Sequence, residues 1–400
     1  MRGIGLRFAA FSGLDDLVPF YGLYTVLFVD TGLSGPQIAS LFVLWSLTSL
    51  ALEVPSGALA DVVSRRGLLA VAALLRGLGF ALWTFTPSYP AFAAGFALWG
   101  MGGAMTSGTL QALVHDELVA VHADGAYQRL LARAETTGLV CVALGTASAV
   151  PLHAFGGYLA VGLASVVASV LTAAVALSFP KRPRVVHVEG PVGRISLHRP
   201  GRRRAWLAML RSGVREAAGV RSVRRLVLLA ALLPGMTALD EFFPLVAIDL
   251  GAPTTLVPLL VLLPMLGQVI GGASAERQRS GVAVAVVVAA AGVLIAGGAV
   301  SGSVWWGFAA IAVGYGALQH AIVVTEARLQ AAVQGPARAT VTSVAGLGSD
   351  VAAMSLYGAW AVAVGPFGHG GAVAMVAAPL LVVGVLVLLW LPARWSHDGE

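Results

Sequence analysis

A helix crosses the roughly 30 Å hydrocarbon core of a bilayer with about 20 mostly apolar residues. This chain presents such stretches in succession, at roughly 8–29, 37–60, 68–87, 91–114, 130–151, 157–179, 224–248, 254–275, 281–300, 304–325, 338–362 and 370–392. In hydrocarbon only helices and closed barrels satisfy every backbone hydrogen bond, so the expectation is an all-α membrane protein with twelve transmembrane helices. Six precede a basic stretch and six follow it. The expected organisation is residues 1–180 as one six-helix bundle, 181–222 as a basic linker and 223–400 as a second bundle. Composition agrees, with 58% hydrophobic and 11% charged residues where soluble domains carry about a quarter charged.

The net charge of +6 does not describe a nucleic-acid groove. Of the 25 basic residues, 13 fall between Lys181 and Arg225, leaving 12 basic against 17 acidic elsewhere. Within that linker, Trp206, Leu207, Met209 and Leu210 lie among arginines, the pattern of an amphipathic helix on an anionic membrane surface. The other basic residues are sorted by side. Loops with Arg65, Arg66, Arg129, Arg277, Arg279, Arg328, Arg338 and Arg394 alternate with "DTGLSGP", "TPSYP", "HAFGG", "DLGAPT", "SGS" and "GPFGHGG", which contain no Arg or Lys. By the positive-inside rule both termini are cytoplasmic. Trp305, Trp306, Trp390 and Trp395 stand at span ends as interfacial anchors. The opening residues resemble a signal peptide, but Asp15 and Asp16 occupy the place of its apolar region, so they read as a retained first helix.

The halves echo one another. "GLDDLVPF" (13–20) recurs as "ALDEFFPL" (238–245), "GALAD" (57–61) as "GASAE" (272–276), and "GTLQ" (108–111) as "GALQ" (316–319). Six spans preserve sidedness, so the repeats are parallel and related about the membrane normal, with a shared site near the midplane between them.

With two such halves and a basic central loop, the chain resembles the major facilitator superfamily (MFS). The signature G-x-x-x-D-[RK]-x-G-[RK]-[RK] after the second span is matched by Gly57, Asp61, Arg65 and Arg66, departing at Val62 and Ser64. A weaker second copy is Gly272, Glu276, Arg277 and Arg279. The resemblance implies the MFS fold and, for this motif, a cytoplasmic gate that locks the outward-facing state, with Arg129, Arg133 or Glu117 as partners.

The acid pairs carry the chemistry. Proline has no N–H for the carbonyl four residues back, so Pro19 is expected to kink the first span and free the carbonyl of Asp15, and Pro244 that of Asp240. Neighbouring helical residues point about 100° apart. One acid of each pair, Asp15 or Asp16 and Asp240 or Glu241, is therefore expected to face a cavity while the other meets a neighbouring helix. Ionisable groups inside a bilayer are costly and face protein or water. Glu53, Glu135 and Asp350 are the further candidate acids, and Arg76 is expected to pair with Glu53 or a first-span acid. Asp15, Asp240 and Asp350 read as transport residues, whereas Asp16, Glu53 and Glu135 also fit helix-helix hydrogen bonds. Gln111 and Gln319 fit either the cavity or a bond across the halves. His320 and Cys141 read as structural.

No GxxxxGK[ST] loop, nucleophile constellation, metal-spaced histidine cluster or second cysteine occurs. The chain is thus expected to need no cofactor or metal and to be no enzyme. The reading is a secondary transporter in the bacterial inner membrane that works as a monomer by alternating access. Its partners are the bilayer, a small-molecule substrate and protons, and its site lies between spans 1, 4, 5, 7, 10 and 11. Proton-coupled export of a small amphipathic or cationic compound is the expected task. The family's mid-span-four arginine and its antiporter Gly-Pro pair in span five are missing here, so a proton symporter importing a sugar, nucleoside or metabolite is the alternative. A sensor or scaffold would have no need of buried acids.

Overall fold

The computed structural model describes residues 2–60, 62–180, 221–275, 280–333 and 337–391, and among these it contains only helices, turns and bends. The N-terminal set is α1 (Arg2–Asp16), α2 (Tyr24–Asp30), α3 (Gly35–Ala60), α4 (Arg65–Phe85), α5 (Tyr89–Thr106), α6 (Thr109–Val119) and α7 (Tyr127–Ser178). The C-terminal set is α8 (Arg221–Gly235), α9 (Phe243–Asp249), α10 (Val257–Ser274), α11 (Gly281–Ala299), α12 (Val304–Ala332), α13 (Ala337–Ala377) and α14 (Pro379–Trp390). The continuous helix α7 holds two spans divided at Gly156 and Gly157, and α13 is divided at Gly368, where the backbone leaves helical angles. Joining α1 to α2, α5 to α6, α8 to α9 and the part of α13 after Gly368 to α14 gives rods that follow the twelve apolar stretches. Residues 181–220, Asp61, Glu276, Arg277 and Arg279 lie outside the described residues, and with them nearly all of the amphipathic linker.

Each set is held by packing within itself, α1 and α4 against α7 in the first and α10 and α11 against α12 in the second. Glycine lets the backbones touch. A Cβ on Gly271 of α10 would sit 1.9 Å from the carbonyl oxygen of Gly316 in α12, and one on Gly267 would sit 2.0 Å from that of Ala312. Packing of this kind replaces the hydrophobic force that lipid does not supply between helices. In the first set eleven aromatic side chains interlock, from Phe20, Tyr21, Tyr24 and Phe28 on span 1 to Phe42, Trp45, Phe80, Trp83, Phe92, Phe96 and Trp99, with Tyr21 stacked on Trp99 at 5.4 Å.

The acid-acid-Pro segments are breaks rather than kinks, which corrects the expectation from sequence. After Asp16 the chain runs through a 3₁₀ turn at Pro19–Gly22 before α2. In the other half Met236–Phe242 is 3₁₀ and Pro244 opens α9 in its first turn, where a missing N–H costs nothing. The Asp240 carbonyl is not freed, since it accepts from the N–H of Phe243. The breaks are satisfied from outside. Phe20 N–H donates to Ser165 Oγ at 3.2 Å, and Tyr315 Oη donates to the Thr237 carbonyl at 2.5 Å.

A further echo appears at the arginine-free face. Both α2 and α9 end on an Asp followed two residues later by a glycine at positive φ, Gly32 at 89° and Gly251 at 88°. Leu33 N–H then bonds Phe28 O and Ala252 N–H bonds Ala247 O, the six-to-one bond of a Schellman cap.

Gly271→Val should lower the melting temperature of the detergent-solubilised protein by several degrees, as overpacking costs about 1–3 kcal/mol. Gly297→Ala, where a Cβ meets no atom within 4 Å, should leave melting unchanged or raise it. Fluorescence-detected thermal unfolding reads both.

Candidate functional site

Two connected cavities lie between the halves. The first, about 520 Å³, is lined by α3 (Trp45, Ser46, Ser49, Leu50, Glu53), the end of α5 (Gly103, Ala104, Ser107), the break after α8 (Pro234, Thr237, Ala238, Asp240, Glu241) and α13 (Ser349, Asp350, Ala353, Tyr357). The second, about 730 Å³, shares Leu50, Glu53, Pro234, Ser349 and Asp350, then continues past Glu326 and Gln330 of α12 and Thr342 of α13 towards the basic loops. On the arginine-free side the halves close over it. Phe42 meets Phe242 and Tyr357, with ring centroids 5.7 and 5.2 Å apart, and Gly35 abuts Val364 so closely that a Cβ would fall 2.2 Å from Val364 Cγ1. Tyr24 Oη donates to the Glu241 carboxylate, a hydrogen bond from one half to the other.

This geometry brings together Glu53, Asp240, Glu241 and Asp350 of the sequence-derived candidates, and adds Glu326. None of the residues lining either cavity is Lys or Arg. Asp240, Glu53 and Asp350 are exposed into the cavity, while Glu241 is half-buried against Tyr24. The site thus lies between spans 2, 4, 7 and 11, with span 10 at its basic end. Spans 1 and 5 do not line it, because they are sealed against one another: a Cβ on Gly145 would meet Val18 N at 2.8 Å, and one on Gly138 would meet Asp16 Oδ2 at 2.5 Å.

Asp15, Asp16 and Arg76 form a separate node inside the first half. Arg76, 8% exposed, grips Asp15 with both terminal nitrogens of its guanidinium, Nη1 lying 2.7 Å from Oδ2. Bidentate pairing of this kind is the strong form of the interaction. The first half therefore spends its acid on an internal cation, and Asp15 is not a cavity residue.

Three other candidates fall away from the cavity. Gln111 is exposed on α6 and Glu135 is exposed two turns into α7; Gln319 is half-buried beside Gly272. The gate motif is partly seen. Gly57 lies exposed near the end of α3. Arg65 pairs with Asp116 of α6, the neighbour of the suggested Glu117, and Arg66 caps the end of α7 by donating to the carbonyls of Leu177 at 3.3 Å and Phe179 at 3.2 Å; Asp61, the acid that Arg129 or Arg133 would meet, lies outside the described residues. Sequence reasoning missed Tyr24, Tyr357, Trp45, Thr237 and Ser349. For Tyr24 the signal was there: Phe20, Tyr24 and Phe28 recur every four residues in the sequence, the spacing of a shared helix face.

Comparison with known proteins agrees with this architecture. The sequence profile of the Major Facilitator Superfamily matches residues 8–354. The chain belongs to that superfamily. No curated protein sequence matches. Among solved structures the chain is similar to an inward-facing, unoccupied bacterial homologue of the human lysosomal transporter Spinster, at 14% identity and TM-score 0.72 over 99% of both chains. It is likewise similar to the nucleoside transporter NupG, at 12% identity and TM-score 0.71 over 97% of this chain and 98% of that one. A third is a POT family transporter in complex with a thioalcohol-conjugated peptide, at 14% identity and TM-score 0.70 over 97% and 96%. At these identities the likeness is one of fold. As a superfamily member the chain is a multi-pass membrane transporter and not an enzyme.

Arg76→Leu leaves Asp15 without its cation in a water-poor setting, so it should destabilise by about 3–5 kcal/mol. Arg76→Leu combined with Asp15→Leu should recover most of that loss. A double-mutant cycle of denaturant or thermal unfolding midpoints measures both.

Proposed function

We propose that this transporter exports small amphipathic or cationic organic compounds across the bacterial inner membrane in exchange for protons, as a monomer working by alternating access. The observation that carries the reading is the cavity lining, which has five carboxylates, no Lys or Arg, and the aromatic faces of Trp45 and Tyr357. Carboxylates without basic partners attract a cation or bind a proton. Aromatic faces suit the apolar body of an amphipathic cation. Competition between substrate and proton for Asp240 and Glu241 is the simplest form of antiport.

With the basic loops in the cytoplasm, both termini are cytoplasmic and the cavity faces inward, where an exporter collects its cargo. The bundles 1–180 and 223–400 are the bodies that rock. Arg65 and Arg66 of the gate motif fasten the cytoplasmic ends of spans within the first half. Asp61, together with Gly272, Glu276, Arg277 and Arg279 of the second copy, completes that gate when the cavity closes inward.

Proteoliposomes enclosing a pH-sensitive dye test this. Lipophilic and hydrophilic organic cations should drive proton movement opposite to their own, and sugars and nucleosides should drive none. Asp240→Asn should reduce the cation-driven flux at least tenfold without changing melting. Proton movement in the same direction as a sugar or nucleoside would replace export with symport. Flux unchanged in Asp240→Asn would remove the proposed role of the cavity acid.

A further inference from the structure

The arginine-free ends of spans 1 and 7 are short helices held between two joints. In the second half α9 runs from the 3₁₀ break at Met236–Phe242 to Asp249, and Gly251 at positive φ turns the chain just beyond it. In the first half α2 lies in the same way between the 3₁₀ turn at Pro19–Gly22 and Gly32. The two tips meet across the halves, so they belong to the closed face.

Each tip is latched to its own half by its last residue. Asp30 Oδ2 accepts from Tyr158 Oη at 2.5 Å, and Tyr158 follows the break at Gly156 and Gly157. Asp249 Oδ1 accepts from His369 Nδ1 at 2.8 Å, and Oδ2 accepts from the Gly370 N–H at 3.0 Å, just past the break at Gly368. The latches occupy corresponding places and differ in their donor. A phenol ordinarily keeps its proton up to about pH 10, so the first latch is the same throughout the physiological range. An imidazole ordinarily becomes charged below about pH 6.5, and a charge-assisted hydrogen bond is about twice as strong as a neutral one.

The second latch is reached by solvent and joined to the seal between the halves. Its His369 and Asp249 side chains are 24% and 34% exposed. The His369 ring stacks on Trp360 at 5.9 Å, Trp360 stacks on Phe242 at 3.9 Å, and Phe242 meets Phe42 of the other half. Among the described residues Asp249 is the charged group at that ring. Of the elements packed on α13, α11 and α14 have no ionisable side chain, and α8 has Arg221, Arg224 and Arg225 at its opposite end. Glu53 of α3, Asp240 and Glu241 of the break, and Asp350 and Tyr357 of α13 itself line the cavity. Burial acts to raise the Asp249 carboxyl, yet the hydrogen bonds from His369 and the Gly370 N–H outweigh it and hold the group below its ordinary value. The carboxylate therefore persists into the mildly acid range in which a histidine is charged.

We propose that His369 and Asp249 form an external pH sensor: acid tightens the latch on α9 and holds the outer face closed, and alkali frees α9 to swing about its break. The arginine-free face is the external one by the positive-inside rule. Swinging α9 outward parts Asp249 from His369, so the charged pair favours the closed state alone, as a bias on a two-state equilibrium must. The sensor rests on neither the cargo nor the direction of transport.

Spin labels at Ser88→Cys, before α5, and at Trp306→Cys, at the outer end of α12, report the separation of the halves by pulsed electron spin resonance. The full-length protein carries Cys141→Ala and sits in phosphatidylcholine nanodiscs. From about pH 8 to about pH 5.5 the ratio of closed to open outer face should rise about fivefold more than in His369→Gln, the size expected when a neutral hydrogen bond becomes a charge-assisted one. The cavity acids titrate alike in both proteins, so the difference belongs to the latch. Asp249→Asn should remove the same part of the response, and it decides the matter should His369→Gln fold poorly. His153, whose ring lies edge-on to Tyr158 at 4.8 Å, is the control, and His153→Gln should leave the response intact. No pH response with His369 and Asp249 both in place, an equal one in His369→Gln or Asp249→Asn, or one abolished by His153→Gln overturns the proposal.

Discussion

A backbone amide or carbonyl left unpaired in hydrocarbon costs several kcal/mol, and this chain interrupts spans 1 and 7 at corresponding places. Everything near the cavity follows from how those interruptions are supported. In span 1 the hydroxyl of Ser165 takes the N–H of Phe20, and the Gly145 backbone comes up against Val18. In span 7 the Tyr315 hydroxyl takes the Thr237 carbonyl, and Gly235 comes up against Ser349 and Ala352. In each half a hydroxyl from a neighbouring span satisfies a backbone group at the break, an N–H in the first and a carbonyl in the second, and a glycine, on span 5 in the first half and on span 7 itself in the second, allows the close approach. The 3₁₀ turn of span 7 brings the N–H of Phe243 to the Asp240 carbonyl, which is why Pro244 does not leave it bare. What the breaks do provide is direction, because a helix that stops after an acid pair aims the two carboxylates at different neighbours.

From that common plan the halves diverge through one residue. Span 3 carries Arg76 and span 9, "GVAVAVVVAAAGVLIAGGA", carries no charge at all. A guanidinium that deep is sustained only by a carboxylate in bonding geometry, so Asp15 is drawn into the first half and Asp16 is left against Gly138 of span 5. With no such cation in the second half, Asp240 turns to the cavity and Glu241 finds the Tyr24 hydroxyl. The cavity is consequently lopsided, its acids coming from spans 2, 7, 10 and 11.

The large features were legible in the sequence because each is set by a single strong term. Span length, the absence of Arg and Lys on one face, and the order of the repeats follow from hydrocarbon thickness, lipid charge and gene-like duplication of pattern, and none depends on side-chain detail. The pairing of Arg76 with a first-span acid was readable too, since a buried cation has few choices. The cavity membership of Gln111, Glu135 and Gln319 was not. Their depth along the helix is fixed by sequence position, but the direction each faces depends on the rotation of α6, α7 and α12, which interhelical glycine contacts decide. Proline in an apolar run was read as a kink because the local rule describes only the missing donor. Whether the helix bends or stops depends on Ser165 and Tyr315, well over a hundred and about seventy residues away along the chain.

The closed side of the cavity shows how lightly the halves are joined. Across it lie aromatic edges, the Gly35–Val364 contact, and Gly22 against Pro258, with Tyr24 to Glu241 the hydrogen bond described among them. Apolar contacts of this kind lose little when lipid or a repacked neighbour replaces them, because dispersion is similar in either setting. The hydrogen bond is different, since parting the halves leaves a carboxylate and a phenol to find new partners. A ligand can bias a two-state equilibrium only by its differential affinity for the two states. A cation or proton that engages Glu241 acts on the polar link that the closed side depends on, whereas one bound at Glu326, at the far end of the cavity, touches nothing that joins the halves there. Under the alternating access proposed here, the coupling residue is thus the one that the second half failed to neutralise, and its partner is a tyrosine that the first half's aromatic cluster holds in place.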